Sequence, residues 1–231
     1  MMDFSEWKVE RSRFVEGKHF LAAHCGAVRI YAMKLSEPLD MMLNCLPNKA
    51  RYQAKIDTFK ASSRKLEWIG VRFLLYLVRG LDEEIVYKEN GSPIFRQSDV
   101  YISISHSRGW ASVALCNEHP IGLDLEKKSP QAFRIHTHYM ETDEPLWIES
   151  QQLLEDSSLA VWSGKEAAYK LLDKEGVDFK KQMKVIDYHR SDGAFTDGFM
   201  MMKQSVNATF ADTLKVYYHF ADEYVITLAV P

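Results

Sequence analysis

Two periodicities divide the chain. From Pro38 to Arg79 apolar residues recur at helical spacing, with an interruption near Pro47, and Leu66, Ile69, Phe73, Leu74 and Leu77 mark one apolar face. A second helical pattern is best formed from Ser158 to Leu172. Ala27–Leu35 alternates as a strand does, Asn90-Gly91 and Pro93 signal a turn, and strand patterns run from Val100 to Glu126. After the second helix, "MKVIDYH", "GAFTDGFMMM", "ATFAD", "LKVYYHF" and "YVITLAV" read as short strands separated by turns. Helices followed by antiparallel strands, twice over, predict an α+β protein of two similar lobes, with the boundary at 117/118. The lobes are thus 1–117 and 118–231.

In the middle segment, Val100, Ile102 and Ile104 alternate with Tyr101, Ser103 and Ser105, and His106 ends the strand. Ser107-Arg108-Gly109 and "NEHP" are turns, so this stretch reads as a three-strand meander. Its first and third strands would bring His106 and Asp124/Glu126 to the same sheet edge. A period of two places Asp124 and Glu126 on one face and Leu123 and Leu125 on the other. Two carboxylates so placed suit an oxygen-bound Mg²⁺, and the same spacing also suits a solvated strand end. In the second helix, Glu166 and Lys170 stand four apart on one face, either as a surface ion pair or as a metal carboxylate with an ammonium beside it.

Composition narrows the function classes. Hydrophobic residues make up 46% and charged residues 26%, as in ordinary folded chains, and the formal charge is −3. That charge argues against general nucleic-acid binding. Eight basic residues against Asp57 and Glu67 between Lys49 and Arg79 read as a solvated helix face or a site for a phosphorylated molecule. No apolar run approaches the roughly 18 residues of a membrane span, and the N-terminus lacks a signal-peptide pattern. Cys25, Cys45 and Cys116 are too scattered for a disulfide framework and read as buried thiols, which places the protein in the cytoplasm.

"IGLDLE" (121–126) is followed by "WSGKEAAYK" (162–170), Glu166 standing 40 positions after Glu126. Together they resemble the signature of the Sfp-type 4′-phosphopantetheinyl transferases. "LPNKARYQ", "SRKLEWIGVRFLL", the Ser-His-Ser segment around His106 and "YMETDE", ending at Glu144, extend the resemblance over nearly the full chain. It implies a single-chain enzyme with two pseudo-symmetric lobes and its active site at their interface. The implied reaction moves 4′-phosphopantetheine from coenzyme A to a serine of an acyl or peptidyl carrier protein and releases 3′,5′-ADP.

By the same resemblance, Asp124, Glu126 and Glu166 would hold Mg²⁺, with Mn²⁺ as the alternative. Glu166 would take the serine proton, and Lys170 would neutralise or protonate the leaving phosphate. Ser105 and His106 would contact coenzyme A phosphates, and Lys49 and Arg64 would face its adenosine 3′-phosphate. A monomer is expected. One departure stands out: many relatives carry a lysine where this chain has Ser92, so weaker coenzyme A binding or a substitute cation such as Arg96 is expected. A coenzyme A- or carrier-binding module without turnover, and a Mg²⁺-dependent phosphohydrolase, are the competing readings.

Overall fold

The computed structural model describes residues 8–10, 20–144, 151–190 and 197–231. The chain divides into two compact units, one of residues 1–87 and 93–118, the other of residues 88–92 and 119–231.

The first unit opens with strands β1 (Lys8–Glu10), β2 (Phe20–Cys25) and β3 (Val28–Lys34). Helices α1 (Leu39–Cys45), α2 (Lys49–Ile56) and α3 (Ser62–Arg79) follow. The short pair β4 (Ile85–Tyr87) and β5 (Pro93–Phe95) leads into β6 (Tyr101–Ser107) and β7 (Trp110–Cys116). Its main sheet has the order β1-β2-β3-β7-β6, antiparallel throughout. The apolar stripe of α3 is buried: Ile69, Phe73 and Leu74 pack with Met42, Leu43, Ile102, Val113 and Leu115. Gly80, with φ of 67°, ends α3 in the left-handed conformation that glycine adopts without strain.

The second unit starts with β8 (Gly122–Lys127), followed by helices α4 (Gln131–Arg134), α5 (His136–Tyr139), α6 (Gln151–Leu172) and α7 (Phe179–Gln182). Strands β9 (Met183–Arg190), β10 (Asp197–Gln204), β11 (Thr213–Phe220) and β12 (Tyr224–Val230) complete it. The antiparallel sheet runs β8-β12-β11-β10-β9, so β8 pairs with the last strand of the chain. Helix α6 covers one face, where Val161, Ala167, Ala168 and Leu171 pack with Met200, Met202, Leu214 and Val216. Its small residues let the helix approach the sheet closely.

Three expectations need correction. The three-strand meander does not exist: β6 and β7 pair with each other, and β8 belongs to the other sheet, opposite β12. Local alternation shows that 121–126 is a strand, but its partner lies a hundred residues away, and no local pattern reports it. "ATFAD" is a turn. The buried Gln204 amide closes it, donating to Asn207 O and Ala211 O and accepting from Val206 N and Asn207 N. Of the three cysteines, only Cys116 is buried, whereas Cys25 is half-buried and Cys45 exposed. Among the described residues, no helix is long and apolar enough to cross a membrane.

Candidate active site

Strand β8 and helix α6 set the site. Gly122 lets them touch: a β-carbon there would lie 1.9 Å from the carbonyl oxygen of Ala167. Two residues along the same face comes Asp124, 5% exposed. Its Oδ2 accepts from Ser163 Oγ at 2.8 Å and its Oδ1 from Lys170 Nζ at 2.8 Å. Lys170 also donates to the carbonyl of Leu123 at 2.9 Å. Two residues further, Glu126 Oε1 accepts from the indole Nε1 of Trp162 at 3.2 Å. The opposite face of β8 carries Leu123 and Leu125, both buried. The alternation read from the sequence therefore holds, with the polar face turned to α6 rather than to solvent.

Glu166 lies on α6 among these acids. Burial pushes its carboxyl up to about 7, the charges of Asp124 and Glu126 push the same way, and Lys170 opposes them. Three carboxylates facing one ammonium leave an excess of negative charge. The donor chemistry, all oxygen, fits a hard divalent cation. Among the described residues, however, no three His, Cys, Asp or Glu groups are already converged for holding a metal.

The position of Glu166 depends on its neighbour. Lys165 points into the protein, fully buried, and its ammonium donates to Glu144 Oε1 (2.7 Å), Tyr139 O (2.5 Å) and Phe179 O (3.2 Å). Glu144 in turn accepts from the backbone N–H groups of Glu141 and Val185. One lysine thus ties α6 to the end of α5, to α7 and to the start of β9. The rings of Tyr139 and Phe179 flank Trp162, with centroids at 5.0 and 5.9 Å. Sequence reasoning singled out Glu144 and Lys165 only as motif positions. Their pairing over 21 residues was not legible from spacing, because a surface lysine and a buried one look alike in a helix.

Lys49, Arg64, Ser105, His106 and Arg96 lie in the first unit, and Ser92 in the second. Arg64 and His106 meet: an arginine nitrogen is 2.8 Å from His106 Nε2, and His106 Nδ1 is 3.3 Å from Glu67 Oε2. Arginine can only donate, so Nε2 accepts and the imidazole proton sits on Nδ1, facing Glu67. Lys49 is exposed and donates to Asn44 Oδ1 at 2.5 Å. Ser105 is buried, 6% exposed. Arg96, named above as a substitute cation, pairs with Glu84 at 2.9 Å. Ser92 instead donates to Asp173, which also takes Lys88 Nζ at 2.8 Å and Asn90 Nδ2 at 2.7 Å.

Residues 120–229, which include both β8 and α6, match the model of the 4′-phosphopantetheinyl transferase superfamily. The chain is 30% identical over 107 residues to the 4′-phosphopantetheinyl transferase gsp of Aneurinibacillus migulanus, covering 45% of this chain and 44% of that one. It is 32% identical over 97 residues to the 4′-phosphopantetheinyl transferase psf-1 of Bacillus pumilus, covering 40% and 41%. The chain thus spans less than half the length of these curated relatives in the matched regions. The acidic strand and the Lys-Glu helix both lie inside the matched segment, so the similarity to the 4′-phosphopantetheinyl transferase superfamily covers the residues that build the site.

Proposed function

We propose that this protein transfers the 4′-phosphopantetheine group of coenzyme A to a serine of an acyl or peptidyl carrier protein and releases 3′,5′-ADP. The observation that carries this reading is the gathering of Asp124, Glu126, Glu166 and Lys170 on β8 and α6, inside the segment that matches the superfamily. Asp124, Glu126 and Glu166 are the residues that would hold Mg²⁺, or Mn²⁺ in its place. When bound, the cation would neutralise charge on the phosphoanhydride as it breaks.

The side chains divide the remaining work. Glu166, on α6 beside Asp124 and Glu126, is the carboxylate assigned to accept the serine proton, directly or through water. Lys170 Nζ, already beside Asp124, is the cation available to the departing phosphate. To Lys49, Arg64, Ser105 and His106 we assign the phosphates of coenzyme A. Of these, Arg64 and His106 form a hydrogen-bonded pair and Ser105 is buried. The cytoplasm as the compartment, supported by the scattered cysteines, and a monomeric state, implied by the resemblance to single-chain transferases of two lobes, are part of the same proposal.

Intact mass spectrometry tests this directly. An apo-carrier protein incubated with this protein, coenzyme A and Mg²⁺ should gain the mass of one phosphopantetheine on its serine, and EDTA should prevent the gain. Free phosphopantetheine without a serine adduct would instead indicate a phosphohydrolase. Coenzyme A binding without any product would indicate a binding module.

A further inference from the structure

Thr227 lies in β12 directly across from Asp124 in β8 and is fully buried. Its hydroxyl oxygen is 2.9 Å from Ser163 Oγ, which is 2.8 Å from Asp124 Oδ2. The direction of these bonds follows from proton counting. An ionised carboxylate only accepts, so the single proton of Ser163 goes to Asp124. Ser163 then offers Thr227 a lone pair alone, and Thr227 must donate. The chain of hydrogen bonds runs one way, from Thr227 to Ser163 to Asp124, and each bond polarises the next.

A helical serine has a competing acceptor in the carbonyl four residues earlier, here Leu159. The Asp124 carboxylate draws the Ser163 proton outward, and the proton that Thr227 donates to the same hydroxyl oxygen adds to that preference. Lys170 holds the other oxygen of Asp124 at 2.8 Å, so each carboxylate oxygen has a donor from α6.

We propose that Thr227 is a positioning residue, which fixes the Asp124 carboxylate through Ser163 in the orientation that receives a divalent cation. This rests on the reading of Asp124 as a metal ligand. Groups that orient a metal ligand typically change metal affinity by about 10–100-fold when lost. Thr227 touches neither the cation nor the reacting atoms in this scheme, and the motifs that identify the site do not contain it.

The test uses the full chain without coenzyme A or carrier protein. Mn²⁺ affinity is measured by calorimetry or by the loss of free-ion paramagnetic signal for wild type, Thr227→Val, Thr227→Ser and Asp124→Asn. Thr227→Val, which keeps the shape and removes the hydroxyl, should weaken Mn²⁺ binding about tenfold or more, and Thr227→Ser should restore it. Equal affinity of Thr227→Val and wild type would overturn the inference. In parallel, urea unfolding of the metal-free proteins should show that Thr227→Val and Asp124→Asn are not additive, because both act on the Ser163 hydroxyl. Strict additivity would overturn the relay whatever the metal result. If Asp124→Asn leaves Mn²⁺ affinity unchanged while the two substitutions still couple, the metal reading fails and the relay stands as a structural one.

Discussion

Gly122 lies under Ala167 with no room for a side chain, since a β-carbon would stand 1.9 Å from the Ala167 carbonyl oxygen and 2.7 Å from the Leu171 nitrogen. Both obstructions are backbone atoms of α6, which cannot rotate away. Gly122→Ala must therefore push β8 off the helix. The expected cost is about 3 kcal/mol, at the upper end of overpacking penalties. Asp124 and Glu166 would be parted with it, so divalent-cation affinity should fall together with the urea midpoint. A variant with wild-type stability would show that the helix approaches less closely than described.

The Lys165–Glu144 pair gives a different signature. Both side chains are fully enclosed, and burial pushes the lysine pKa down while Glu144 resists that change. Removing one partner leaves the other charged in an apolar setting, so Lys165→Met or Glu144→Gln should each cost roughly 3–5 kcal/mol. Replacing both together should cost less than the sum of the single changes. Urea unfolding of the four proteins measures this, and additive losses would contradict the pairing.

These two cases show what the sequence could and could not reveal. The alternation of Leu123 and Leu125 with Asp124 and Glu126 gave strand β8 and its two faces, because a strand's period is local. The motif residues gave the four polar groups of the site. Strand partners are another matter: proximity in sequence puts β8 beside β7, while its neighbour in the sheet is β12, a hundred residues on. Strand β2 escaped notice because its buried residues, Leu21 and Ala23, alternate too weakly to stand out. Thr227 was invisible for a similar reason. A threonine in an apolar strand reads as strand propensity, and only the register beside Asp124 gives it a role.

Asp173, just past the end of α6, has a φ of 53° and gathers Lys88, Asn90 and Ser92. These donors outweigh burial and hold its carboxyl below the usual range. The turn that carries Ser92 is fastened by these hydrogen bonds to Asp173. Asp173→Ala should cost about 1–2 kcal/mol and speed tryptic cleavage at Lys88. Asp173→Asn should do less, since asparagine tolerates the left-handed backbone and keeps part of the bonding. Unchanged cleavage in the alanine variant would mean that the turn is held by other means.

Glu166 makes stability depend on pH in a direction opposite to that of most acids. Its carboxyl stands at about 7 in the metal-free fold, chiefly through burial, against 4.5 for an unperturbed glutamate. The folded state therefore binds this proton more tightly than the unfolded chain does. The resulting stabilisation is fully present below the unfolded value and is lost as pH rises through about 7. In Glu166→Gln the titration is gone, so the unfolding free energy should stay flatter across that window and exceed wild type above it. A divalent cation acts on the same charge: Mg²⁺ or Mn²⁺ added at pH 8 should raise the wild-type melting temperature and raise that of Glu166→Gln much less. Parallel pH profiles for the two proteins, with equal cation shifts, would show that Glu166 is neither the raised acid nor a ligand.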